Sequence, residues 1–368
     1  MCVFVKGSTG FIGHILGIVI VISIGFSGAL AQQGVSESKG YVRRLFAKSL
    51  DRPSAVAPIG DRAVLVGERS GRILLIDDHG RSDLGKINVP GMTIFYVPER
   101  PYTEGIKDLI AVPGRAGEFL WCMTTGSEQE VRWTVGRARI ATNPGAATMA
   151  NEIVWRSQPQ PWTRGSLSPF SGCKMAVDGA DVIVAMGANS RATGSGRTMR
   201  VSMSDAHAPQ VISTGHRNPS GVVLMSGVLW EVEHGPKGGD ELNIIVPGGD
   251  YGWPDVSKGE PDDQYHQSFL RSRPGSIDPV VTWTPAIAPS SMTQWRGKLY
   301  VGALKGTDVI EITVDGRRVV SQRRFLDIGE RVRDVRAGLD DDGLWVLTDG
   351  PDAELFQVTP QHLKKSSR

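Results

Sequence analysis

The chain has 368 residues, 40% of them hydrophobic, and its 41 Lys and Arg residues against 39 Asp and Glu residues give a formal net charge of +2. A chain of this length suffices for one large domain or two modest ones. Charges this evenly balanced and interspersed argue against nucleic acid as the partner, because neutralising phosphates requires a clustered basic surface.

The N-terminal segment, residues 1–31, is expected to be a secretory signal peptide. Lys6 gives a positive start, residues 15–26 form an apolar run, and Ala29-Leu30-Ala31 has the small-x-small pattern of a cleavage site. A transmembrane anchor is the alternative, but a bilayer span needs roughly 20 apolar residues and this run is shorter. We therefore expect cleavage after Ala31, export to the periplasm or secretion, and one domain over residues 32–368 with no membrane span.

The cysteines allow one disulfide at most in the exported chain. Cys2 belongs to the predicted signal peptide, so Cys122 and Cys173 remain. In an oxidising compartment these two can form a disulfide with a single possible connectivity. Two buried free thiols are the alternative, since a free cysteine behaves as a small hydrophobic residue.

The remaining chain repeats one local unit six times. Each unit is a short apolar strand, a turn that is polar or contains glycine, and a second apolar strand, a pattern typical of β-hairpins. The alternation is clear in Val64-Leu65-Val66 before Gly71. The six units lie at residues 63–77, 119–140, 181–203, 228–246, 298–314 and 344–358. No long stretch has a helical apolar period, so we expect an all-β chain.

The spacing of the six hairpins favours a propeller. In the 337 residues after Ala31 they occur about once per 56 residues, the size of a four-stranded blade with its loops. A β-sandwich is the alternative, but sandwiches space their turns every 8 to 12 residues without a longer period. Blades bury their faces by stacking, and ring closure removes the exposed ends. The predicted fold is a six-bladed β-propeller whose first blade is closed by strands from both termini.

Residues 215–254 concentrate cations, carboxylates and strand-breaking residues. Gly235-Pro236 and Gly238-Gly239 cannot continue a strand, so they force a turn whose carbonyl groups lack ladder partners. Such carbonyls, with the carboxylates of Asp240 and Glu241, are the oxygen ligands that calcium prefers. The alternative is an ordinary glycine-rich hairpin loop with two solvated acids, which is common in β proteins.

Four short motifs follow one another in this region: Gly-His-Arg-Asn-Pro (215–219), Glu-His-Gly-Pro (233–236), Gly-Gly-Asp-Glu-Leu-Asn (238–243) and Tyr-Gly-Trp-Pro (251–254). In this order and spacing they resemble the signature of the soluble glucose/sorbosone dehydrogenase family. Its members are aldose dehydrogenases that use pyrroloquinoline quinone (PQQ) and are built on a six-bladed propeller. The resemblance covers residues 215–347 well and the N-terminal half poorly.

The resemblance implies an activity and its partners. The protein would be a periplasmic oxidoreductase that oxidises the anomeric carbon of a small sugar to a lactone by hydride transfer to PQQ. The sequence does not identify which sugar is used or which acceptor takes the electrons.

The resemblance also implies that the cofactor is contacted by Asn218, Lys305, Arg331 and Arg333, and that Arg217 positions the substrate. Arg331 and Arg333 are two apart, so on an extended segment their side chains point the same way, and each can form a forked pair with a carboxylate. Considered singly, Lys305 could instead be a solvated turn lysine. The two arginines could likewise pair with adjacent acids such as Glu330 or Asp334.

For metals, the resemblance implies two Ca²⁺ ions. The backbone oxygens of Gly235 and Pro236 would hold the ion at the cofactor. Glu241 and the carbonyl of Tyr251 would hold a second, structural ion near Asp240.

The segment in which the family places its catalytic base departs from the pattern. A histidine there removes the substrate hydroxyl proton, a task that suits imidazole because its pKa lies near neutrality. This chain reads Leu-Ser-Pro-Phe-Ser-Gly-Cys-Lys over residues 167–174, so Pro169 stands at the base position and cannot accept a proton. His234 could in principle reach the pocket, but we expect it to make a structural hydrogen bond.

Two interpretations follow from the missing base. The first is a PQQ sugar dehydrogenase that is impaired or uses another base. The second is a noncatalytic propeller that binds a ligand, a carbohydrate or a protein partner. We favour the first, since the four cations Arg217, Lys305, Arg331 and Arg333 would have little reason to remain together in a pure scaffold.

Overall fold

Alternating apolar residues and frequent turns fold this chain into β-strands. The computed structural model of the protein describes residues 35–38, 40–60, 62–89, 105–126, 130–143, 146–161, 172–187, 196–204, 206–261, 268–339 and 342–361. Within these ranges there is no α-helix. All of them belong to one compact unit, Gly34–Arg368. The predicted signal peptide lies outside the described residues.

The described strands pair mainly antiparallel with their neighbours, with one parallel pair. In chain order they are β1 (Val35–Ser38), β2 (Tyr41–Leu50), β3 (Pro53–Gly60), β4 (Ala63–Glu68), β5 (Arg72–Asp77), β6 (Gly80–Lys86), β7 (Ile106–Ala111), β8 (Glu118–Gly126), β9 (Glu130–Asn143), β10 (Ala146–Arg156), β11 (Gln160–Pro161), β12 (Cys173–Asp178), β13 (Asp181–Met186), β14 (Gly196–Ser202), β15 (Gln210–His216), β16 (Pro219–Met225), β17 (Val228–Glu233), β18 (Asp240–Ile245), β19 (Gly249–Asp250), β20 (Val281–Trp283), β21 (Pro289–Trp295), β22 (Lys298–Ala303), β23 (Asp308–Asp315), β24 (Arg318–Asp327), β25 (Val332–Ala337), β26 (Leu344–Thr348) and β27 (Ala353–Pro360).

These strands form six sheets, the blades of a propeller. Blade 1 is β3-β4-β5-β6, blade 2 is β7-β8-β9-β10 with β11 on β9, blade 3 is β12-β13-β14-β15-β19, blade 4 is β16-β17-β18-β20, blade 5 is β21-β22-β23-β24, and blade 6 is β25-β26-β27-β2-β1. The first strand of each blade is the inner one. Contacts between inner strands run from β3 to β7, β12, β16, β21, β25 and back to β3. This closed cycle confirms the six-bladed propeller, and the six predicted hairpins are the second and third strands of the blades.

The two ends of the described chain meet in blade 6. β2 pairs antiparallel with β27, from Tyr41 opposite Pro360 to Leu50 opposite Ala353, and β1 adds outside β2. The expectation that strands from both termini close the first blade is therefore wrong about the blade. The chain passes directly from Leu50 into the inner strand of blade 1, so β2 lies outside blade 1 and serves as an outer strand of blade 6, the last blade in chain order.

Apolar side chains fill the spaces between adjacent blades. In the described part of the chain, one cluster of buried residues lies at each of the six blade boundaries. Between blades 1 and 2, Trp121 is fully buried. A Cβ at Gly136 would lie 1.9 Å from the ring carbon Cζ2 of Trp121, so only glycine leaves room for this tryptophan.

A disulfide between Cys122 in β8 and Cys173 in β12 joins blade 2 to blade 3. The Cα atoms are 6.2 Å apart, within the range that a disulfide spans, and both residues are fully buried. The sequence left open a disulfide or two buried free thiols, and the structure contains the disulfide.

Charged residues of the inner strands link the blades at the centre of the ring. Asp334 Oδ2 accepts a hydrogen bond from Val56 N of blade 1 at 2.9 Å, and Asp108 Oδ2 accepts one from Met175 N of blade 3 at 2.8 Å. The guanidinium of Arg336 contacts both carboxylates. A buried ion-pair network therefore holds the inner ring together, in addition to apolar packing.

Candidate functional site at the mouth of the propeller

Motifs from blades 4, 5 and 6 lie at one end of the ring, which we call the mouth. It is the end at which the chain enters each inner strand. The same backbone hydrogen bond recurs at this end in five blades. A residue near the end of the second strand donates its N–H to the carbonyl oxygen of the residue just before the inner strand. The five pairs are Arg69 with Arg52, Thr124 with Gly105, His234 with Asn218, Leu304 with Ala288, and Asp349 with Arg331. This repeated contact places residues 217–218, 234–239, 305 and 331–333 in equivalent positions of three neighbouring blades.

In blade 6, Arg331 and Arg333 point the same way, as expected, and share one partner, Asp349. Arg331 Nε lies 3.0 Å from Asp349 Oδ2, and Arg333 Nη2 lies 2.8 Å from Oδ1. Arg69 of blade 1 adds a third guanidinium, with Nη2 3.3 Å from Oδ1. Pairing with the adjacent acids of the same segment does not occur among the described residues. The three arginines and Asp349, the arginine cluster, carry three positive charges against one negative charge.

Arg217 and Asn218 lie in the bend before β16, and Glu233 holds their backbone. Glu233 Oε2 accepts hydrogen bonds from Arg217 N at 2.7 Å and from Asn218 N at 3.3 Å. The Arg217 side chain donates to the carbonyl oxygen of His234 at 3.2 Å, and its guanidinium carbon lies 5.3 Å from the centre of the Trp253 ring. These contacts fix the direction of the Arg217 side chain.

His234 shows that charges of blades 4 and 6 converge. Burial lowers the pKa of its imidazole to about 4, and the positive charges of Arg217 and Arg333 act in the same direction, against the opposite effect of Asp240. The imidazole is therefore neutral at pH 7. Charged groups of blades 4 and 6 therefore act on the same imidazole, although only Arg217 is hydrogen-bonded to His234, through its backbone oxygen.

The other predicted cations, Arg333 and Lys305, differ in their surroundings. The charge of Arg333 also acts on Lys174 in the inner strand of blade 3: burial lowers the pKa of this lysine, Arg336 and Arg333 act in the same direction, and Asp108 and Asp334 oppose them. Lys305 N donates to Ile287 O at 3.0 Å, so its backbone belongs to the same ring of turns. Its side chain is exposed and forms no ion pair with a described residue.

The glycine turn of blade 4 is shaped by Asp240. Its Oδ1 accepts a hydrogen bond from Gly235 N at 3.0 Å, and its Oδ2 accepts from Ile287 N at 2.9 Å and Ala288 N at 2.7 Å. A Cβ at Gly235 would lie 2.1 Å from the carbonyl oxygen of Gly238, so the turn requires glycine. Asp240 ties this turn to blade 5, and its oxygens are directed at backbone N–H groups.

A cavity of about 20 Å³ lies beside the glycine turn, with Glu233, Gly235, Glu241 and Tyr251 among its lining residues. One water molecule needs at least about 10–15 Å³, so the cavity has room for a single small particle. Burial, and then the neighbouring carboxylate of Glu233, raises the pKa of Glu241 to about 8. Two mutually repelling carboxyl groups beside such a cavity are a donor set that suits a hard cation. Pro236 is not among the cavity's lining residues and lies against Gly259.

A second buried cluster, His216 with Glu231 and Glu233, has metal-ligand spacing but another role. His216 Nδ1 lies 2.9 Å from Glu231 Oε1, and Nε2 lies 2.8 Å from Ser213 Oγ, so both ring nitrogens are engaged. Burial opposes a charged imidazole, yet Glu231 and Glu233 raise the pKa of His216 to about 10. The ring, stacked on Tyr251 at 4.6 Å, is therefore a buried cation that neutralises the carboxylates behind the cavity.

Sequence reasoning missed Arg69, Asp349 and the partners of His216. Arg69 and Asp349 are 280 residues apart in the chain, and neither stands in a motif used above. The available signal is weak: both residues directly follow the first strand of a predicted hairpin, a position shared with His234. Pro169, at the expected base position, lies outside the described residues.

The sequence profile described as Glucose / Sorbosone dehydrogenase matches residues 50–357. The aldose sugar dehydrogenase YliI of Escherichia coli is 40% identical over 166 residues, which cover 42% of this chain and 44% of that protein.

Two solved structures share the fold. The soluble aldose sugar dehydrogenase of E. coli in the apo-form superposes with a TM-score of 0.73 at 26% identity and covers 87% of this chain and 100% of its own. The PQQ-bound form of an aldose sugar dehydrogenase from Streptomyces coelicolor has a TM-score of 0.65 at 22% identity and covers 89% of this chain and 98% of its own.

Proposed function

Because this chain belongs to the glucose/sorbosone dehydrogenase family, we propose that it is an exported PQQ-dependent aldose dehydrogenase. The substrate is a small sugar whose anomeric carbon is oxidised to a lactone. The observation that carries the proposal is the arginine cluster at the mouth of a closed ring, where three guanidinium groups surround the single carboxylate of Asp349. A redox cofactor with several carboxylates matches such a concentration of positive charge.

The cofactor's carboxylates would be bound at the arginine cluster by Arg331 and Arg333. Lys305 and Asn218 would complete the pocket from the neighbouring blades. Arg217, held by Trp253 and by the carbonyl of His234, would orient the sugar. When bound, PQQ supplies the hydride acceptor. Binding, orientation and exclusion of water are the tasks of the chain itself.

Calcium would be bound at two places beside the glycine turn. The backbone oxygens of Gly235 and Pro236 are proposed to hold one ion at the cofactor. Glu241 and the carbonyl of Tyr251 are proposed to hold the other, and the cavity that both residues line supports this assignment. Asp240 would support the sites indirectly, by fixing the turn through Gly235 N.

Turnover is proposed to be slow, because Pro169 stands where the family has its base. Loss of a general base typically lowers the rate by about 10² to 10⁴. His234 is neutral at pH 7, but a base with a pKa near 4 is weakly driven to accept a proton from a sugar hydroxyl.

Export through a signal peptide, residues 1–31, with one propeller over residues 32–368, is proposed on two grounds. The N-terminal sequence has the pattern of a secretory signal. The disulfide between Cys122 and Cys173 is typical of proteins in an oxidising compartment such as the periplasm or the exterior.

No helix in the described part of the chain has the length and apolar character that crossing a membrane requires.

The proposed activity is tested with purified protein, PQQ and Ca²⁺. We expect PQQ to bind and a redox dye to be reduced slowly with some members of a panel of aldoses, and Pro169→His to raise the rate. Replacing Arg331 and Arg333 together by alanine should weaken PQQ binding, whereas the exposed Arg318→Ala in blade 5 should not. Unchanged affinity in the double variant would show that the cofactor assignment is wrong.

A noncatalytic ligand-binding propeller is the second candidate, and the proline at position 169 favours it. Bound PQQ without dye reduction for any sugar, in both the wild type and Pro169→His, would exclude the enzyme and leave this candidate.

A further inference from the structure

Asp349 occupies an unusual electrostatic position. Its side chain is 3% exposed and contacts guanidinium groups from two blades. Burial acts against its ionisation, yet Arg333, Arg69 and Arg331 together lower the pKa of Asp349. The carboxylate is therefore charged at pH 7, and the cluster as a whole has a net charge of +2, from three cations and one anion.

The three arginines are graded in exposure. The exposed fraction of the side chain is 5% for Arg69, 17% for Arg333 and 52% for Arg331. Arg69 is therefore the most buried partner of Asp349, and Arg331 is the partner most exposed to solvent. The backbone also joins the two segments of blade 6, because Asp349 N donates to Arg331 O at 2.8 Å.

Within the described part of the chain, Arg331 and Arg333 use only some of their N–H donors toward Asp349. Arg331 uses Nε toward Asp349, and Arg333 uses Nε and Nη2, at 2.9 and 2.8 Å. A guanidinium has five N–H donors in a rigid fork, so an arginine held through one edge keeps donors for a second carboxylate. Two such groups fixed side by side suit a ligand with at least two negative charges.

We propose that Asp349 is a positioning residue that aligns Arg331 and Arg333 for a polycarboxylate ligand, and that Arg69, its most buried partner, holds Asp349. The inference rests on the proposed function only for the identity of the ligand, PQQ. It assigns the anion site to the boundary between blades 6 and 1, where the ring closes.

Replacing the carboxylate of Asp349 shows whether the arginine cluster binds an anion because its guanidinium groups are aligned or only because they are positively charged. Asp349→Asn raises the net charge of the cluster from +2 to +3, so attraction alone predicts tighter binding of an anion. Loss of alignment predicts the opposite, because three guanidinium groups without a shared carboxylate repel one another and turn away. The sign of the change in affinity therefore distinguishes the two.

The experiment measures two ligands on the full chain. PQQ is titrated by quenching of tryptophan fluorescence, and benzene-1,3,5-tricarboxylate by calorimetry. We expect Asp349→Asn to raise the Kd of both at least tenfold and Asp349→Glu to restore part of the affinity. Unchanged or tighter binding in Asp349→Asn would overturn the proposal.

Glu311→Gln is the matched control. Glu311 is also a carboxylate with a 3% exposed side chain, shared by two cations, Lys298 and Arg323, but it lies in β23 of blade 5 outside the cluster. A comparable loss of melting temperature in both variants, with loss of affinity only in Asp349→Asn, is the expected result. If Glu311→Gln lost as much affinity as Asp349→Asn, the effect of Asp349 on binding would be explained by loss of stability and the proposal would be wrong.

Two further outcomes are decisive. If Asp349→Asn does not fold, Arg69→Lys is used, which keeps the charge but loses the fork, and we expect the Kd of both ligands to rise at least threefold. No change there would overturn the proposal. A wild-type protein that binds the tricarboxylate but not PQQ would refute the proposed cofactor and leave the anion site standing. Binding of neither would refute the anion site as well.

Discussion

The carboxylate of Asp334 in blade 6 accepts a hydrogen bond from the backbone nitrogen of Val56 in blade 1, at 2.9 Å, across the boundary where the ring closes. Asp334 is fully buried and also contacts Arg336. A buried carboxylate that joins the first and last blades is expected to contribute strongly to stability, because its removal leaves other buried groups without partners.

Asp334→Asn should therefore lower the free energy of unfolding by about 3 to 5 kcal/mol, the usual cost of breaking a buried ion pair on one side. Urea unfolding followed by tryptophan fluorescence measures the loss. Asp315→Asn, which breaks an exposed pair with Arg318, is the control and should have little effect. Equal losses in the two variants would contradict the structural role of Asp334.

Glu241 should make stability fall with rising pH in calcium-free buffer. Its pKa is raised from 4.5 to about 8 in the folded protein, so the folded state holds a proton that the unfolded chain has released. The stabilisation is complete below about pH 4.5 and is lost as pH rises through about 8, with a slope of at most about 1.4 kcal/mol per pH unit. Melting curves from pH 5 to 9 in the presence of a chelator measure it.

Glu241→Gln should flatten this part of the pH profile, whereas Glu354→Gln in β27 should not. Added Ca²⁺ should reverse the trend in the wild type, since a cation competes with the proton and binds more tightly as pH rises. A wild-type profile that Ca²⁺ leaves unchanged at pH 8 would argue against an ion beside Glu241.

Reduction of the disulfide between Cys122 and Cys173 should lower the free energy of unfolding by about 4 kcal/mol. This is the chain-entropy value for a closed loop of the 51-residue separation. Urea unfolding with and without reductant measures the difference. Mass spectrometry after alkylation should find no free thiol at either position in exported protein, and two modified thiols would refute the pairing.

Gly136→Ala should destabilise the protein by about 1 to 3 kcal/mol or more, the range for overpacking. The new Cβ would lie 1.9 Å from the buried ring of Trp121. Gly60→Ala in β3 is the matched control, since the nearest atom to its Cβ would be 3.6 Å away. Thermal melting of the two variants gives the comparison, and equal melting temperatures would contradict the packing argument.

The blades were predictable because their signals are local. Alternation in stretches such as Leu299-Tyr300-Val301, with turn residues after them, specifies hairpins without knowledge of the rest of the chain. The blade that closes the ring was not predictable, because pairing of β2 with β27 joins segments at opposite ends of the sequence. Register between distant strands depends on the completed ring.

The site was predictable in part. That Arg331 and Arg333 point the same way followed from their spacing, since residues two apart share one face of an extended segment. The spacing did not identify Asp349 as their ion-pair partner, because several other acidic residues in the sequence were equally possible partners. His216 was visible in a motif, but its charge depends on Glu231 and Glu233, which burial brings against it.

The sequence by itself determined the strands, the number of blades and the short motifs, because each is encoded within a few neighbouring residues. The tertiary structure alone decided which charges meet. It joined Arg69 to Asp349 across 280 residues, made the imidazole of His216 a cation and kept that of His234 neutral. Protonation and ion pairing depend on burial and on distances between blades, and those quantities exist only once the ring has closed.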